Sequence, residues 1–174
     1  MEIKSQLFTP LDDPSSAGAA TLELPQVPQF PVSSGFELHV LLVEPARDER
    51  EMYVEHLCDH GMRVTCATSL GQTIELARSA HPHVIVIEPC WQHSTDLGLT
   101  IIRALRLDSR TTSIPIVAVS GHAFAHERAA ALEAGCECFL EKPCAPARLS
   151  SELERLSWRY RLQRSRERRR ACQN

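Results

Sequence analysis

His83-Val84-Ile85-Val86-Ile87-Glu88-Pro89-Cys90 is the stretch that decides the fold. Val84 to Ile87 are consecutive β-branched aliphatics with no polar alternation. That pattern suits a strand covered on both faces, the usual condition of a central strand in a parallel sheet. The run ends on a carboxylate followed by proline, and the carboxyl end of a strand in an open α/β sheet is where such folds keep their chemistry. What Glu88 does there is the functional question.

The flanking sequence repeats one pattern. Glu37 to Val43 reads as a first strand ended by Glu44 and Pro45. A helix follows from about Asp48 to His60, with Tyr53, Val54, Leu57 and Cys58 on one face and Gly61 placed to stop it. Met62 to Ala67 is a second strand. Ser69-Leu70-Gly71-Gln72 has the spacing of a capping box and opens a helix carrying Ile74, Leu76 and Ala77, closed by Pro82. After Glu88 and a loop from Pro89 to Thr95, a helix capped by Thr95 or Asp96 carries Leu97, Ile101 and Leu105 at intervals of four. Pro115 to Val119 is a fourth strand ending in Ser120-Gly121, followed by an alanine-rich helix from Ala123 to Ala134 that stops at Gly135. Cys136 to Leu140 is a fifth strand, followed by Glu141-Lys142-Pro143. Pro146 sits near the first position of a last helix, with Leu149, Leu153, Leu156 and Tyr160 on one side. Strict βα alternation implies a parallel sheet with helices on both faces, and right-handed crossovers make it doubly wound.

The 174 residues leave room for one domain of ordinary size plus flanking segments. Residues 1–36 hold five of the eleven prolines (Pro10, Pro14, Pro25, Pro28, Pro31), interleaved with Ser, Ala and Gly, and read as a disordered leader. Residues 37–157 form the domain, and 158–174 an arginine-rich helical extension or tail. The net charge of -3 conceals an acidic body joined to a basic end: residues 155–174 carry eight arginines against Glu167. The seven cysteines form no CxxC pair, and without a secretory or transmembrane stretch a reduced, cytoplasmic setting is expected. Cys90, Cys138 and Cys144 with His93 match no zinc spacing, so no metal centre is expected from them.

In a doubly wound sheet the carboxyl ends of the strands converge on one edge, placing Glu44, Glu88, Ser120 and Lys142 around one crevice. Apart from Lys4, Lys142 is the only lysine in the chain, every other cation being arginine. A lone lysine at a strand end points to a position that wants a compact ammonium.

From His39 to Leu156 the sequence resembles the receiver domain of bacterial response regulators, the flavodoxin-like fold of the single-domain chemotaxis regulator. The resemblance rests on the acids at Glu44 and Glu88, on Ser120-Gly121, on the Ala134-Gly135 turn and on Phe139-Leu140-Glu141-Lys142-Pro143. It implies a five-stranded parallel sheet in the order 2-1-3-4-5. In that family two acids after strand one and an aspartate after strand three bind Mg²⁺. The aspartate takes a phosphoryl group from a histidine kinase, and a hydroxyl and a lysine contact the phosphoryl oxygens. Ser120 and Lys142 match the last pair, Phe139 matches an aromatic switch position, and Pro143 matches a cis-proline turn that aims the lysine. Glu44 matches the first acid. Pro45 replaces the second, and Glu88 stands where the phosphoaccepting aspartate would be.

These departures argue against phosphoryl transfer. Mg²⁺ wants near-octahedral oxygen coordination, and the loss of one carboxylate removes a ligand and a neutralising charge. Glu88 is one methylene longer than aspartate, in chemistry where a misplacement of about 1 Å can cost roughly a hundredfold. Two roles for Glu88 stay open at this level: a mimic of the phosphorylated state reaching Ser120 and Lys142, or a structural pair with Lys142. An exposed ion pair supplies about 0.2–1 kcal/mol, against about 5.5 kcal/mol needed to invert a two-state equilibrium fully.

Asp48 and Asp96 are read as helix-terminal anions, and His122 and His126, at i, i+4, as solvent-exposed. The expected function is that of a stand-alone receiver-like protein, not an enzyme, needing no cofactor and binding a signalling partner such as a histidine kinase or a downstream regulator. The face of helix four, strand five and helix five is the expected contact. One alternative is a genuine phosphoaccepting receiver that uses Mg²⁺; another is an adaptor whose arginine tail meets nucleic acid without reading its sequence. No membrane association is expected.

Overall fold

The computed structural model describes residues 37–90 and 95–171. Its elements are β1 (His39–Val43), α1 (Arg47–Asp59), β2 (Arg63–Ala67), α2 (Leu70–Ser79), β3 (Val84–Ile87), α3 (Thr95–Leu107), β4 (Ile116–Ser120), α4 (Ala125–Ala134), β5 (Cys138–Glu141) and α5 (Pro146–Ala171). Every strand pair is parallel, and the order is β2-β1-β3-β4-β5. This is the doubly wound, flavodoxin-like sheet expected from the alternation and the resemblance. The leader, His93 and Cys172 lie outside the described residues.

β3 sits at the centre, with Ile85 paired to Leu41 of β1 on one side and to Ile116 of β4 on the other. All four of its side chains are 1% exposed or less. The two-residue period splits them between faces. Val84 and Val86 pack with Tyr53 and Leu57 of α1 and Leu149 and Leu153 of α5. Ile85 and Ile87 pack with Ala77 of α2, Ile101 of α3 and Ala131 of α4. Burying such a side chain stabilises by about 1.5–3 kcal/mol, so this strand ties the two helical layers together.

Two predicted core positions face solvent instead. Cys58 is exposed, because Tyr53 and Leu57 already fill the inward stripe and Cys58 lies about 100° further round. Leu97 is 39% exposed. A step of four residues overshoots the helical repeat by about 40°, so a row of two such steps drifts off the stripe at one end. The box at α2 also closes differently: the Ser69 hydroxyl accepts from the Gln72 N–H at 3.3 Å, while the Gln72 side chain accepts from the N–H of Thr68, not of Ser69. Gly135 ends α4 in the left-handed region at φ 119°, where a side chain would also collide with Arg106.

Candidate functional site

Sheet register builds the site. Val43 pairs with Ile87, so Glu44 and Glu88 leave the sheet side by side. The Glu88 N–H donates to Val43 O at 3.0 Å, which continues the ladder by one residue. Ser120 pairs with Glu141, and the Lys142 N–H donates to Ser120 O at 2.8 Å. The Lys142–Pro143 peptide that follows is cis, as the resemblance implied.

The Lys142 ammonium lies 2.8 Å from Glu44 Oε2 and 2.8 Å from Glu88 Oε2. A third carboxylate, Glu49 from the first turn of α1, also accepts from it. The other oxygens are held by backbone: Glu44 Oε1 accepts from the Ala46 N–H at 2.9 Å, and Glu88 Oε1 from the Cys90 N–H at 2.8 Å. Pro45 contributes its carbonyl, which with that of Glu44 accepts from Arg50. The site is closed to water except on the Glu49 side: side-chain exposures are 13% for Lys142, 3% for Glu44 and 8% for Glu88, against 44% for Glu49.

Burial raises the Glu44 carboxyl above its ordinary range, opposed by the hydrogen bond from Lys142. For Lys142, burial by itself would favour the neutral amine, but hydrogen bonds to Glu44, Glu49 and Glu88 outweigh it and hold the ammonium above its usual range. The same environment pushes the neighbouring Tyr53 phenol up to about 12, chiefly by burial. Lys142 is therefore a fixed cation.

The geometry thus brings together Glu44, Glu88 and Lys142. Ser120 is buried beside them, its hydroxyl accepting from the His122 N–H at 3.1 Å. Phe139 is buried under the Arg128 guanidinium, 5.7 Å from the ring centroid. Asp48 lies in the first turn of α1, as its helix-terminal reading required. His126 stacks on Phe124 at 5.9 Å, and both are exposed like His122.

Sequence reasoning stopped at Asp48 and missed Glu49. The signal was available: Glu49, Tyr53 and Leu57 repeat at i, i+4, i+8, so Glu49 sits on the inward stripe of α1 just beyond the end of β1.

Among the described residues no group of three or more His, Cys, Asp or Glu side chains is placed to hold a metal ion. The Mg²⁺ that the fold family implies takes near-octahedral oxygen at about 2.0–2.1 Å. Here Pro45 offers no side-chain oxygen, and the inward oxygens of Glu44 and Glu88 converge on an ammonium. The donor set in this arrangement fits a cation carried by the chain and does not fit an octahedral ion.

Residues 40–154 match the response regulator receiver domain, and the chain belongs to that family. Among its curated relatives is the phosphate regulon transcriptional regulatory protein PhoB of Escherichia coli (strain K12), 25% identical over 122 residues, covering 68% of this chain and 52% of that protein. The chain thus spans about half the length of that relative. Two-component response regulator ORR11 of Oryza sativa subsp. indica is 27% identical over 125 residues, covering 72% of this chain and 84% of the relative. Among solved structures, the receiver domain of sensor histidine kinase PA1611 from Pseudomonas aeruginosa PAO1, with magnesium coordinated in its active site cleft, has the same fold. It superposes with a TM-score of 0.64 at 24% identity over 70% of this chain and 98% of that one. The chain is a receiver module of two-component signalling. No helix among the described residues is long and apolar enough to cross a membrane.

Proposed function

We propose that this receiver signals by binding partner proteins in the cytoplasm, without phosphoryl transfer at Glu88, without Mg²⁺ and without catalysis of its own. The observation that carries the reading is the pairing of Lys142 with Glu44, Glu49 and Glu88. Three carboxylates against one ammonium leave the pocket negative before any phosphate arrives. A phosphoryl group would add about 1.5–2 further negative charges, and the Lys142 ammonium is already engaged. Pro45 removes the family's second acid, and Glu88 carries its oxygens too far for the aspartate geometry.

Glu88 holds Lys142 in place of a phosphoryl group, and in this reading the module stays in one signalling state. The partner is a signalling protein, a histidine kinase or a downstream regulator, meeting the face of α4, β5 and α5. Exposed Phe124 before α4 and exposed Leu132 on it supply apolar contact area beside the Arg128 guanidinium. The test is incubation with acetyl phosphate and Mg²⁺, alongside Glu88→Asp. The wild type is expected to take up no phosphate, and stoichiometric incorporation by it would return the protein to the phosphoaccepting receivers.

A further inference from the structure

The inward side of α5 is made by Leu149, Leu153, Leu156 and Tyr160. Tyr160 is the last buried position among the described residues, yet the helix runs on to Ala171, about 16 Å further at 1.5 Å per residue. Residues 158–171 carry seven arginines against Glu167, in a chain whose body is acidic. Like charges spaced by three or four residues destabilise a helix, a cost that an anionic partner would reverse.

The described side chains have an order. Trp158 and Leu162, 42% and 44% exposed and one turn apart, share a stripe that Arg169 continues two turns on. Arg159 and Arg166, two turns apart and both exposed, line the adjoining stripe. Arg161 flanks the other side, its guanidinium 5.8 Å from the Trp158 ring centroid. No ion pair among the described residues involves Arg159, Arg166 or Arg169. At the amino end of the sheet burial chiefly lowers the His83 pKa, and the Arg161 guanidinium of α5 adds to that effect.

We propose that this free part of α5 binds the phosphate backbone of duplex DNA, lying in the major groove. A single helix about 10–12 Å across fits a groove about 12 Å wide. Arginine, used here at every basic position, matches phosphate with two parallel hydrogen bonds where lysine offers a point charge. The acidic body keeps the contact to the helix, and with no second reading element among the described residues the binding is independent of base sequence. An anionic membrane fits less well, since Trp158 and Leu162 are the only large apolar side chains exposed on the described part of this stretch. This inference does not depend on the reading of the Glu88 site.

The test is fluorescence anisotropy of the full chain with a labelled duplex of arbitrary sequence, about 20 base pairs long, at salt between about 50 and 200 mM. Expected is binding in the micromolar range at low salt, with log K falling against log salt by about 0.9 for each phosphate contacted. The variant Arg159→Gln/Arg166→Gln/Arg169→Gln should bind at least about tenfold more weakly, with a shallower salt slope, and unchanged circular dichroism and melting temperature. The proposal is overturned if the wild type does not bind, or if the triple variant binds as the wild type does. Tighter binding to phosphatidylserine vesicles or to polyglutamate than to the duplex at equal salt would also overturn it, by assigning the helix to another class of partner.

Discussion

Glu88 Oε2 and Lys142 Nζ lie 2.8 Å apart, the one carried on the end of β3 and the other on the end of β5, with β4 between them. The pair spans the strand that separates its two carriers, and it is sheltered from water. The weak figure appropriate to exposed ion pairs does not apply. Breaking a buried pair leaves an uncompensated charge and costs about 3–5 kcal/mol.

Lys142→Met should therefore destabilise the protein by about that amount, with Glu44 and Glu88 left facing each other. Glu49→Gln, at the wet edge of the same cluster, should cost no more than about 1 kcal/mol. Urea unfolding of both variants checks the ordering, and equal effects would mean that Lys142 is not held from the buried side.

A second pair of titratable groups sits at the opposite end of the sheet. His39 Nδ1 accepts from Arg63 Nη2 at 2.9 Å, which leaves the Nε2–H to donate to Thr65 Oγ1 at 2.9 Å, and His83 Nδ1 accepts from the His39 N–H at 2.9 Å. Both rings are held neutral. Burial lowers the pKa of each; Arg63 adds to it at His39, against Glu37 and the Ala80 backbone, and His39, Arg161 and Arg63 add to it at His83. Below about 6.5, the ordinary pKa of a free imidazole, the unfolded chain takes up protons that the folded one refuses. Stability is thus fully present above that pH and falls as the pH drops, by at most about 1.4 kcal/mol per pH unit for each ring. Urea midpoints at about pH 5 and 7.5 measure this, and His39→Gln should flatten the profile.

Gly98, in the first turns of α3, has no room for a side chain. A Cβ there would fall 2.1 Å from Pro89 O and 2.4 Å from Pro89 Cα, backbone atoms that cannot swing aside. Gly98→Ala should cost about 1–3 kcal/mol or more. At Gly71 in α2 nothing lies within 4 Å of a Cβ, so Gly71→Ala should stabilise by up to about 1 kcal/mol. Chemical denaturation of the two variants gives opposite signs if the packing is as described.

Arg106 joins α3 to β4 and β5. It donates to Gly135 O at 2.9 Å, Ile114 O at 2.8 Å and both Glu137 oxygens, while Glu137 accepts the Ile116 N–H at 2.6 Å. Arg106→Met should cost about 2–4 kcal/mol, from several hydrogen bonds at about 1–1.5 each. Arg106→Lys should recover little, because one ammonium cannot reach the same acceptors. Thermal melts of both variants decide between fork geometry and charge.

The sheet was readable because its determinants are local: Val84–Ile87 announces a doubly covered strand within four residues, and Gly61, Gly135 and Pro146 mark helix ends by backbone chemistry alone. Glu44, Glu88 and Lys142 were readable once the alternation placed the strand ends on one edge. Glu49 was not read, because its role depends on α1 turning an acid inward, and an acid in a first helical turn already has a sufficient explanation in the dipole. Gly98 and Arg106 were invisible for another reason. Their partners, the Pro89 carbonyl and the carbonyls of Ile114 and Gly135, are backbone atoms that carry no residue-specific signal in a sequence.

A lysine on a covalent stem differs from an ion in solution in one respect that matters for a signalling module: it has no concentration. Divalent ions arrive and leave with their supply, and a regulator that depends on them inherits that variable. The cation in this pocket is delivered once, by the ribosome, at one per chain. In the reading proposed above, nothing at the site is left to be switched, and the quantity such a protein conveys is its own abundance.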